Sequence, residues 1–285
     1  MKNEFDILII GAGAVGCAIA RELSRSRLDI AVMEKEWDVA AGTSGRNSAV
    51  VHAGFNNQPG TLMAKFCVEG NQGFEALCAE LDIPYKKTGK LLVARCNAEM
   101  DTLEKLLRQG ETNGCRGLRL VGREEMEDLA PRVDGVGGLF SPETAIFDPF
   151  LYTVALAENA AANGAQFFFG HEVTGIRMEK GGFTVVTNAG EWRTRVLINS
   201  AGLFSDRISA MAGVDRYRIY PCRGEYLILD KIAEEYLRLP VYPAPAAGIG
   251  GLGVHLTPTI HGNVIIGPRV CFKTYILCAT CKDDK

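Results

Sequence analysis

Short apolar runs and amphipathic segments divide the first part of the chain into clear elements. Residues 7–10 (ILII) form a continuous apolar run, which is typical of a buried parallel strand. Ile19 and Leu23 then lie one helical turn apart, and polar side chains occupy other positions of the same segment. A second apolar run, residues 30–33 (IAVM), ends at Glu34. The pattern predicts a strand, a turn, a helix and a second strand that is followed by an acidic residue.

The turn between the first strand and the helix has the spacing G-x-G-x-x-G. Gly11 permits the tight turn, Gly13 lets the backbone approach a pyrophosphate, and Gly16 lets the helix pack on the strand. The pyrophosphate would lie at the positive end of the helix, and Glu34 would accept hydrogen bonds from a ribose. The alternative is a glycine-rich turn without a ligand. The residues predicted to hold a dinucleotide here are Gly11, Gly13, Ala14, Gly16, Glu34 and Lys35.

The rest of the chain alternates between helical and strand-like patterns. Apolar residues at three- and four-residue spacing predict a helix over residues 61–81. Asp148 and Pro149 open another helix, which Asn163 and Gly164 stop. The other predicted helices are 99–109 and 123–129, and the predicted strands are 89–94, 166–169, 172–178, 183–187, 196–199, 252–258 and 264–268. Because the sequence shows no repeat or low-complexity linker, we expect two interleaved domains rather than two domains in series.

Composition limits the classes of partner. The 285 residues are 47% hydrophobic and 23% charged, with a net charge of −3, which predicts a globular protein and gives no support for nucleic-acid binding. No run approaches the roughly 18 apolar residues of a membrane helix, so we expect at most peripheral membrane association. Nine cysteines without regular spacing predict reduced side chains in a cytoplasmic protein. The C-x-x-C at 278–281 has no second pair, so no metal site is predicted.

A small polar loop at residues 41–48 follows the acidic residue that would hold the ribose. Its hydroxyl and amide groups suit hydrogen bonds to phosphate or to the polyol chain of a flavin, with Arg46 as a counter-charge. The alternative is an ordinary surface loop. The candidate ligand-binding residues of this loop are Thr43, Ser44, Arg46, Asn47 and Ser48.

Three stretches carry a resemblance to a known family: residues 42–48 (GTSGRNS), 51–55 (VHAGF) and 59–67 (PGTLMAKFC). With the glycine turn, they resemble the D-amino-acid-oxidase-type FAD oxidoreductases, and among these the branch of L-2-hydroxyglutarate oxidases and flavin-dependent glycerol-3-phosphate dehydrogenases. The resemblance runs from about residue 4 to about residue 269. It implies an α/β fold, in which a Rossmann-like FAD-binding domain is interleaved with a mixed-sheet substrate domain of α+β character.

The resemblance also implies domain bounds and further cofactor contacts. The FAD-binding domain would comprise residues 1–85 and 145–217, the incomplete substrate domain 86–144 and 218–270, and an atypical tail 271–285. Val173 would present its backbone near the adenine, and a second glycine turn at Ala201 and Gly202 would approach the pyrophosphate. An NAD-dependent dehydrogenase does not need this second module, so FAD is the predicted cofactor.

Oxidation of a secondary alcohol by a flavin needs a base for the hydroxyl proton, a cation for an anionic substrate, and a C–H bond close to flavin N5, which accepts the hydride. His255 is the predicted base, because 252–257 (LGVHLT) resembles the 2-hydroxyglutarate side of the branch; otherwise it is a hydrogen-bonded histidine at a strand edge. His52 is the second candidate. Arg223, in the Pro-x-Arg-Gly stretch 221–224, is the predicted substrate clamp, against the alternative of an interdomain salt bridge.

Three functions stay open from the sequence. The first is FAD-dependent oxidation of a small anionic 2-hydroxy acid that resembles L-2-hydroxyglutarate, and the second is oxidation of glycerol 3-phosphate. The third is a non-catalytic or partner-dependent FAD-binding fragment, because the resemblance fades after Pro268 whereas the family continues with a glycine-rich segment that contacts the flavin. A flavoprotein acting on RNA bases is disfavoured by the acidic balance. Oxygen, a quinone and a partner flavoprotein are all open as the electron acceptor.

Overall fold

The computed structural model describes residues 3–231, 237–245 and 253–271. Its strands, in chain order, are β1 (Glu4–Ile10), β2 (Ile30–Met33), β3 (Val50–Val51), β4 (Tyr85–Lys87), β5 (Lys90–Ala94), β6 (Arg119–Gly122), β7 (Gly137–Ser141), β8 (Ala145–Phe147), β9 (Gln166–Phe168), β10 (Val173–Glu179), β11 (Gly182–Thr187), β12 (Gly190–Asn199), β13 (Arg223–Leu229), β14 (Val241–Pro243), β15 (His255–Pro258) and β16 (Val264–Cys271). Its α-helices are α1 (Ala14–Leu23), α2 (Leu62–Glu80), α3 (Asn97–Asn113), α4 (Arg123–Leu129), α5 (Pro149–Ala162) and α6 (Ser205–Met211), and 3₁₀ turns cover Thr43–Gly45 and Gly202–Phe204.

The chain folds into two compact units, each of which is discontinuous in sequence. The first unit contains the residues up to Asn47 and those from Pro149 to Pro221. The second unit contains Ser48 to Asp148 and the residues from Cys222 onward in the described part of the chain. The predicted interleaving of two parts therefore agrees with the structure.

The first unit is built on a six-stranded sheet in the order β10-β11-β12-β1-β2-β9. β1 is parallel to both of its neighbours, β12 and β2, and β9 continues the parallel half beyond β2. β10, β11 and β12 form an antiparallel meander at the other side. This arrangement confirms the predicted Rossmann-like α/β architecture.

The core of the first unit forms around β1 because both faces of a central parallel strand are covered. Leu8 and Ile9 have no exposed surface, and their flanking residues in the strand are almost as deeply buried. Helix α1 buries Gly16, Cys17 and Ala20 and packs against β1 and α5. A continuous apolar run therefore forms the strand, and small helical residues allow the close packing above it.

The second unit is built on a seven-stranded mixed sheet in the order β13-β16-β15-β14-β5-β7-β6, beside a small sheet β3-β8-β4. β14 and β5 are parallel, and the other neighbours in the large sheet are antiparallel. Alternate residues of β5 enter two different cores, because successive side chains of a strand point to opposite faces. Leu91 and Val93 belong to one cluster, whereas Leu92 and Ala94 belong to the other.

Residues 48–85 and 145–148 lie in the second unit and residues 218–221 in the first, which differs from the predicted domain bounds. Helix α2 contacts α3, and the Asn71 side chain donates a hydrogen bond of 2.8 Å to the Glu143 carbonyl. Phe74 packs edge-on against Phe147, with ring centroids 4.8 Å apart. These contacts join α2 to distant parts of the chain, and local spacing carries no sign of them. The predicted tail lies outside the described residues except for Cys271, as does the C-x-x-C at 278–281.

Three predicted elements are longer in the structure by more than two residues, and one of them is β16, which covers Val264–Cys271 rather than 264–268. Helix α3 covers Asn97–Asn113 rather than 99–109, and it ends where Gly114 adopts a left-handed conformation with φ 82°. Strand β12 covers Gly190–Asn199 rather than 196–199, because its first half alternates buried and charged residues. No helix within the described ranges combines the length and apolarity that a bilayer crossing requires.

The end of α3 gives a test of this fold. Gly114→Ala should lower the free energy of unfolding by about 1 kcal/mol, because alanine is strained in the left-handed conformation although the site has open space. Gly73→Ala, inside helix α2 and also in open space, should raise it by up to about 1 kcal/mol. Urea unfolding followed by circular dichroism measures both; equal effects of the two substitutions would contradict the assignment of Gly114.

Candidate functional site

The turn after β1 is closed so tightly that only glycine fits. Gly11 has φ 104°, and a Cβ added there would lie 2.5 Å from the Ser200 carbonyl oxygen. A Cβ on Gly16 would lie 2.0 Å from the Gly11 carbonyl oxygen. The structure therefore uses Gly11 for the turn and Gly16 for the packing of helix on strand, as predicted.

The amino end of α1 is left accessible for an anion. The preceding residue, Gly13, forms no side-chain cap, and a Cβ there would lie 3.0 Å from the Ser44 hydroxyl. Ser44 accepts a 2.9 Å hydrogen bond from the Ala14 amide. The positive end of the helix and a hydroxyl thus meet at one point, which suits a pyrophosphate.

Glu34, directly after β2, is held in place by backbone amides. One carboxylate oxygen accepts a 2.9 Å hydrogen bond from the Ala12 amide and the other a 3.0 Å bond from the Glu36 amide. Lys35 forms an ion pair with Glu36, and its ammonium lies 5.1 Å from the ring centroid of Phe204. The carboxylate of Glu34 is therefore oriented beside the glycine turn, in a position suited to a ribose diol.

The two later segments predicted to contact the cofactor also come to this place. His171 donates from its amide to the Glu34 carbonyl at 2.9 Å, and Val173 follows at the buried start of β10. Ala201 lies beside the first turn, since its Cα would be 3.2 Å from a Cβ on Gly11, and Gly202 opens the next 3₁₀ turn. Both segments are thus neighbours of the strand ends that carry the glycine turn and Glu34.

The polar loop is only partly directed to this site. Arg46 donates from its guanidinium to the Ala41 carbonyl, and Asn47 donates to the carbonyls of Thr43 and Ser44 at 3.2 and 2.8 Å. These two side chains therefore stabilise their own loop. Ser48 lies in the second unit, where its hydroxyl faces two tyrosines. The ligand-binding roles of Thr43, Arg46, Asn47 and Ser48 stay predictions.

These features fit the adenosine diphosphate part of FAD. Gly13 leaves bare backbone, which a Cβ would cover, and the end of α1 supplies positive potential next to it. Glu34 supplies a fixed carboxylate, and the segment of Val173 lies alongside. A nucleotide diphosphate with a ribose requires this set of groups.

A second group of chemically active side chains lies within the second unit. His255, the first residue of β15, is 3% exposed, and its ring stacks on that of Tyr242 with centroids 3.7 Å apart. The two rings are neighbours because β14 and β15 pair with Val241 opposite Leu256. The Tyr226 ring lies edge-on to His255 at 6.5 Å. The predicted base is thus held in a fixed orientation by aromatic packing.

His52 is brought close to His255, but its chemistry differs from that expected of a base. Burial, then the Lys90 ammonium and then His255 lower its pKa to about 3. Its Nδ1 atom is buried and has no hydrogen-bond partner among the residues that the structure describes. A neutral imidazole with such a low pKa is a poor proton acceptor near pH 7. Its buried nitrogen instead suits a hydrogen bond to a bound ligand.

Two further groups of the second unit bear on this chemistry. Burial raises the pKa of Tyr242 to about 12, although the hydroxyls of Thr257 and Ser48 next to its phenol act in the opposite direction. Tyr242 is therefore a neutral phenol at pH 7. Arg223, on β13, forms a 3.0 Å ion pair with Glu225, and about half of its side chain is exposed. Its guanidinium is accessible to an anion, but its predicted role as a substrate clamp stays a prediction.

Comparison with known families identifies the family to which this chain belongs. The family model of FAD dependent oxidoreductases matches residues 6–279. The chain belongs to this family. The prediction of a flavoprotein oxidoreductase of the D-amino-acid-oxidase type is therefore confirmed, and FAD is the cofactor of the family.

This chain resembles curated dehydrogenases of two kinds. It is 41% identical over 266 residues to a glycerol 3-phosphate dehydrogenase of Caloramator mitchellensis, covering 93% of this chain and 55% of the relative. It is 37% identical over 275 residues to a mitochondrial L-2-hydroxyglutarate dehydrogenase of Caenorhabditis elegans, covering 93% and 63%. The chain thus spans less than two thirds of the length of these relatives.

Solved structures resemble this chain over nearly all of its length. L-α-glycerophosphate oxidase of Mycoplasma pneumoniae, with FAD bound, superposes with a TM-score of 0.87 at 31% identity, covering 94% of this chain and 72% of that one. L-proline dehydrogenase of P. horikoshii superposes with a TM-score of 0.85 at 25% identity, covering 99% and 74%. These likenesses confirm the predicted fold class.

Sequence reasoning missed Lys90 and Tyr242. Lys90 is 2% exposed, and its ammonium lies 4.7 Å from the ring centroid of Phe55 and 4.6 Å from that of Tyr242. The available signal was a lysine at the start of an apolar strand, in phase with Leu92 and Ala94. Such a lysine usually lies at a strand end in solvent, and its aromatic partners come from residues far away in the chain.

The bare backbone before α1 can be tested directly. Gly13→Ala should weaken FAD binding at least about tenfold, because the new methyl group would occupy the surface that meets the pyrophosphate. Titration of the flavin-free chain with FAD, followed by flavin fluorescence, measures the dissociation constant. Gly70→Ala is the control, since this glycine lies inside helix α2 of the second unit and a Cβ there meets nothing within 4 Å. If the Gly13 variant bound FAD as tightly as the parent chain, the assignment of the pyrophosphate to this turn would be wrong.

Proposed function

We propose that this oxidoreductase oxidises the secondary alcohol of a small anionic 2-hydroxy acid that resembles L-2-hydroxyglutarate. The observation that carries the proposal is the buried and oriented imidazole of His255, in one cluster with a neutral histidine and a cation. The L-2-hydroxyglutarate dehydrogenases among its relatives, at 35–37% identity, support this substrate class. Flavin supplies the acceptor for the hydride when it is bound.

His255 takes the hydroxyl proton in this proposal, and His52 does not. A base must accept a proton near neutral pH, and the environment of His52 lowers its pKa to about 3. His255 is instead fixed by its stacking on Tyr242, at the start of a strand. His52 provides a neutral hydrogen-bonding nitrogen, which orients the substrate without adding charge.

The negative charge of the substrate is met by Arg223. Its guanidinium forms a planar fork that matches a carboxylate, and it lies on β13 of the unit that carries both histidines. One nitrogen of this fork pairs with Glu225 at 3.0 Å in the structure, and a substrate carboxylate would replace that pair. Since the pair is about half exposed, this exchange costs little free energy.

Glycerol 3-phosphate is the second candidate substrate. The 41% identical relative is a glycerol 3-phosphate dehydrogenase, and the solved structure at 31% identity is an L-α-glycerophosphate oxidase. Both candidates are small anions with a secondary alcohol, so the same base and cation would serve either. A phosphate carries more charge than a carboxylate, and it would depend more strongly on Arg223.

The visible spectrum of the bound flavin distinguishes the two candidate substrates. The purified chain, loaded with FAD under anaerobic conditions, should lose its flavin absorbance on addition of L-2-hydroxyglutarate. Bleaching by glycerol 3-phosphate alone would favour the second candidate. Uptake of FAD without bleaching by either would support a partner-dependent flavin-binding role. Subsequent addition of air or, separately, of a quinone identifies the electron acceptor.

Substitution of the base provides a second prediction. His255→Gln should slow flavin reduction by the effective substrate at least about a hundredfold, because an amide at this position cannot take the hydroxyl proton. The measurement is anaerobic stopped-flow absorbance, with FAD content determined for each variant. His261→Gln is the matched control, because that imidazole lies in a turn, is 60% exposed, and forms with the Asp148 carboxylate a hydrogen bond that a glutamine amide can keep. Equal rates in the parent and the His255 variant would show that another group is the base.

A further inference from the structure

The aromatic ring of Tyr242 contacts both a buried cation and the imidazole of the proposed base. The Lys90 ammonium is 4.6 Å from the centroid of this ring, and the His255 ring is stacked on it at 3.7 Å, with an interplanar angle of 11°. Lys90 opens β5, Tyr242 lies in β14 and His255 opens β15, and β14 is the strand between the other two in the sheet. The cation and the imidazole therefore reach the tyrosine from the two strands that flank it.

The register of these strands places the three side chains on one face of the sheet. Tyr242 is opposite Leu92 of β5, and Lys90 shares the face of Leu92 because alternate residues of a strand point the same way. On the other side of β14, the pairing with β15 brings His255 next to Tyr242. Lys90, Tyr242 and His255 thus form a row across the sheet, which we call the stacked row, and strand pairing defines it.

The positive end of the stacked row is withheld from water. Lys90 is 2% exposed, and it forms no ion pair with a carboxylate in the ranges that the structure describes. Its ammonium is met instead by the faces of Tyr242 and Phe55, the latter at 4.7 Å. Burial lowers the pKa of Lys90 to about 8, so the side chain is mostly charged at pH 7. Because a desolvated cation interacts with an aromatic face more strongly than an exposed one, Lys90 restrains the ring of Tyr242.

The imidazole end of the stacked row is fixed at a second point. Nδ1 of His255 lies 3.1 Å from the Gly253 carbonyl oxygen, which can only accept a hydrogen bond. Nδ1 therefore carries the proton of the neutral imidazole, and the lone pair that a base needs is on Nε2. This bond fixes the position of one ring atom, whereas the stacking on Tyr242 fixes the plane of the ring. The direction of Nε2 depends on both.

We infer that Lys90 is a positioning residue for the reaction: by holding the ring of Tyr242, it fixes the imidazole plane of His255 and the direction of its Nε2 atom. Proton transfer requires the lone pair of the base to point at the hydroxyl proton, so a rotated imidazole slows the reaction. The inference rests on the proposed function for the role of His255 as the base. The restraint of the imidazole ring is independent of that role.

Histidine NMR of the FAD-loaded chain measures the restraint without substrate. The chain contains only four histidines, so ¹³C-labelled imidazole signals are resolvable, and His255→Gln identifies the His255 signal. Stacking on Tyr242 should move the ring protons of His255 upfield, and Tyr242→Leu defines their unstacked position. Lys90→Met, which removes the charge and keeps an unbranched side chain, should lose most of this upfield shift. Lys105→Met removes a charge from an exposed position on α3 and should keep the shift of the parent.

Flavin reduction then tests whether the restraint serves the base. With the effective substrate, Lys90→Met should lower the rate constant of anaerobic flavin reduction about tenfold or more, and the substrate concentration at half-maximal rate should stay nearly unchanged. In a Tyr242→Leu background, the same substitution should have little further effect, because the ring through which Lys90 acts is already absent. Equal effects of Lys90→Met in the two backgrounds would overturn the inference.

The two measurements separate failure of the inference from failure of the proposed function. An unchanged His255 shift in Lys90→Met would overturn the inference, and so would an unchanged rate in a chain that His255→Gln slows. If His255→Gln keeps the parent rate, the proposed base is wrong, whereas loss of the shift in Lys90→Met still supports the restraint. If Lys90→Met does not fold, the parent decides: the His255 ring protons and the Lys90 ε-methylene protons should both lie upfield, and ordinary shifts at either would overturn the inference.

Discussion

Two main-chain turns, one after β1 and one after β12, approach so closely that no side chain fits between them. A Cβ on Gly11 would collide with the Ser200 carbonyl, and one on Gly16 would collide with Gly11. This contact places the end of β1, the start of α1 and the 3₁₀ turn at Gly202 around one point of the sheet. The helix end and the bare backbone in the first unit depend on it because both follow β1 directly, and the Glu34 carboxylate joins them through its hydrogen bond to the Ala12 amide.

The second unit holds a charged ammonium and imidazole rings together, away from water. Transfer of an ammonium out of water is unfavourable by several kcal/mol, and its interaction with two aromatic faces offsets only part of this free energy. The buried ammonium therefore lowers the stability of the unit, while it gives the histidines a defined electrostatic environment. Tyr242 is central to this arrangement, since one ring contacts both the ammonium of Lys90 and the imidazole of His255.

The parts of the molecule that the sequence predicted are those encoded locally. The strand at 7–10, the glycine turn, helix α1 and Glu34 follow each other within thirty-five residues, and each has a distinct periodicity or spacing. The environment of Lys90 could not be predicted, because Phe55 and Tyr242 come from distant segments. The membership of α2 in the second unit depends on Asn71 and Phe74 meeting residues near position 145, which no local pattern indicates.

The alternation of the chain between its two units has a consequence for how it acquires its structure. Ile7 pairs with Val196, and Leu91 pairs with Val241, so each sheet joins strands from opposite parts of the chain. During synthesis on the ribosome, β1 and β5 emerge long before β12 and β14. Until the later strands are synthesised, the apolar edges of β1 and β5 stay incompletely paired, and association with other chains competes with folding. A nascent chain with this topology is expected to depend on chaperones until both sheets close.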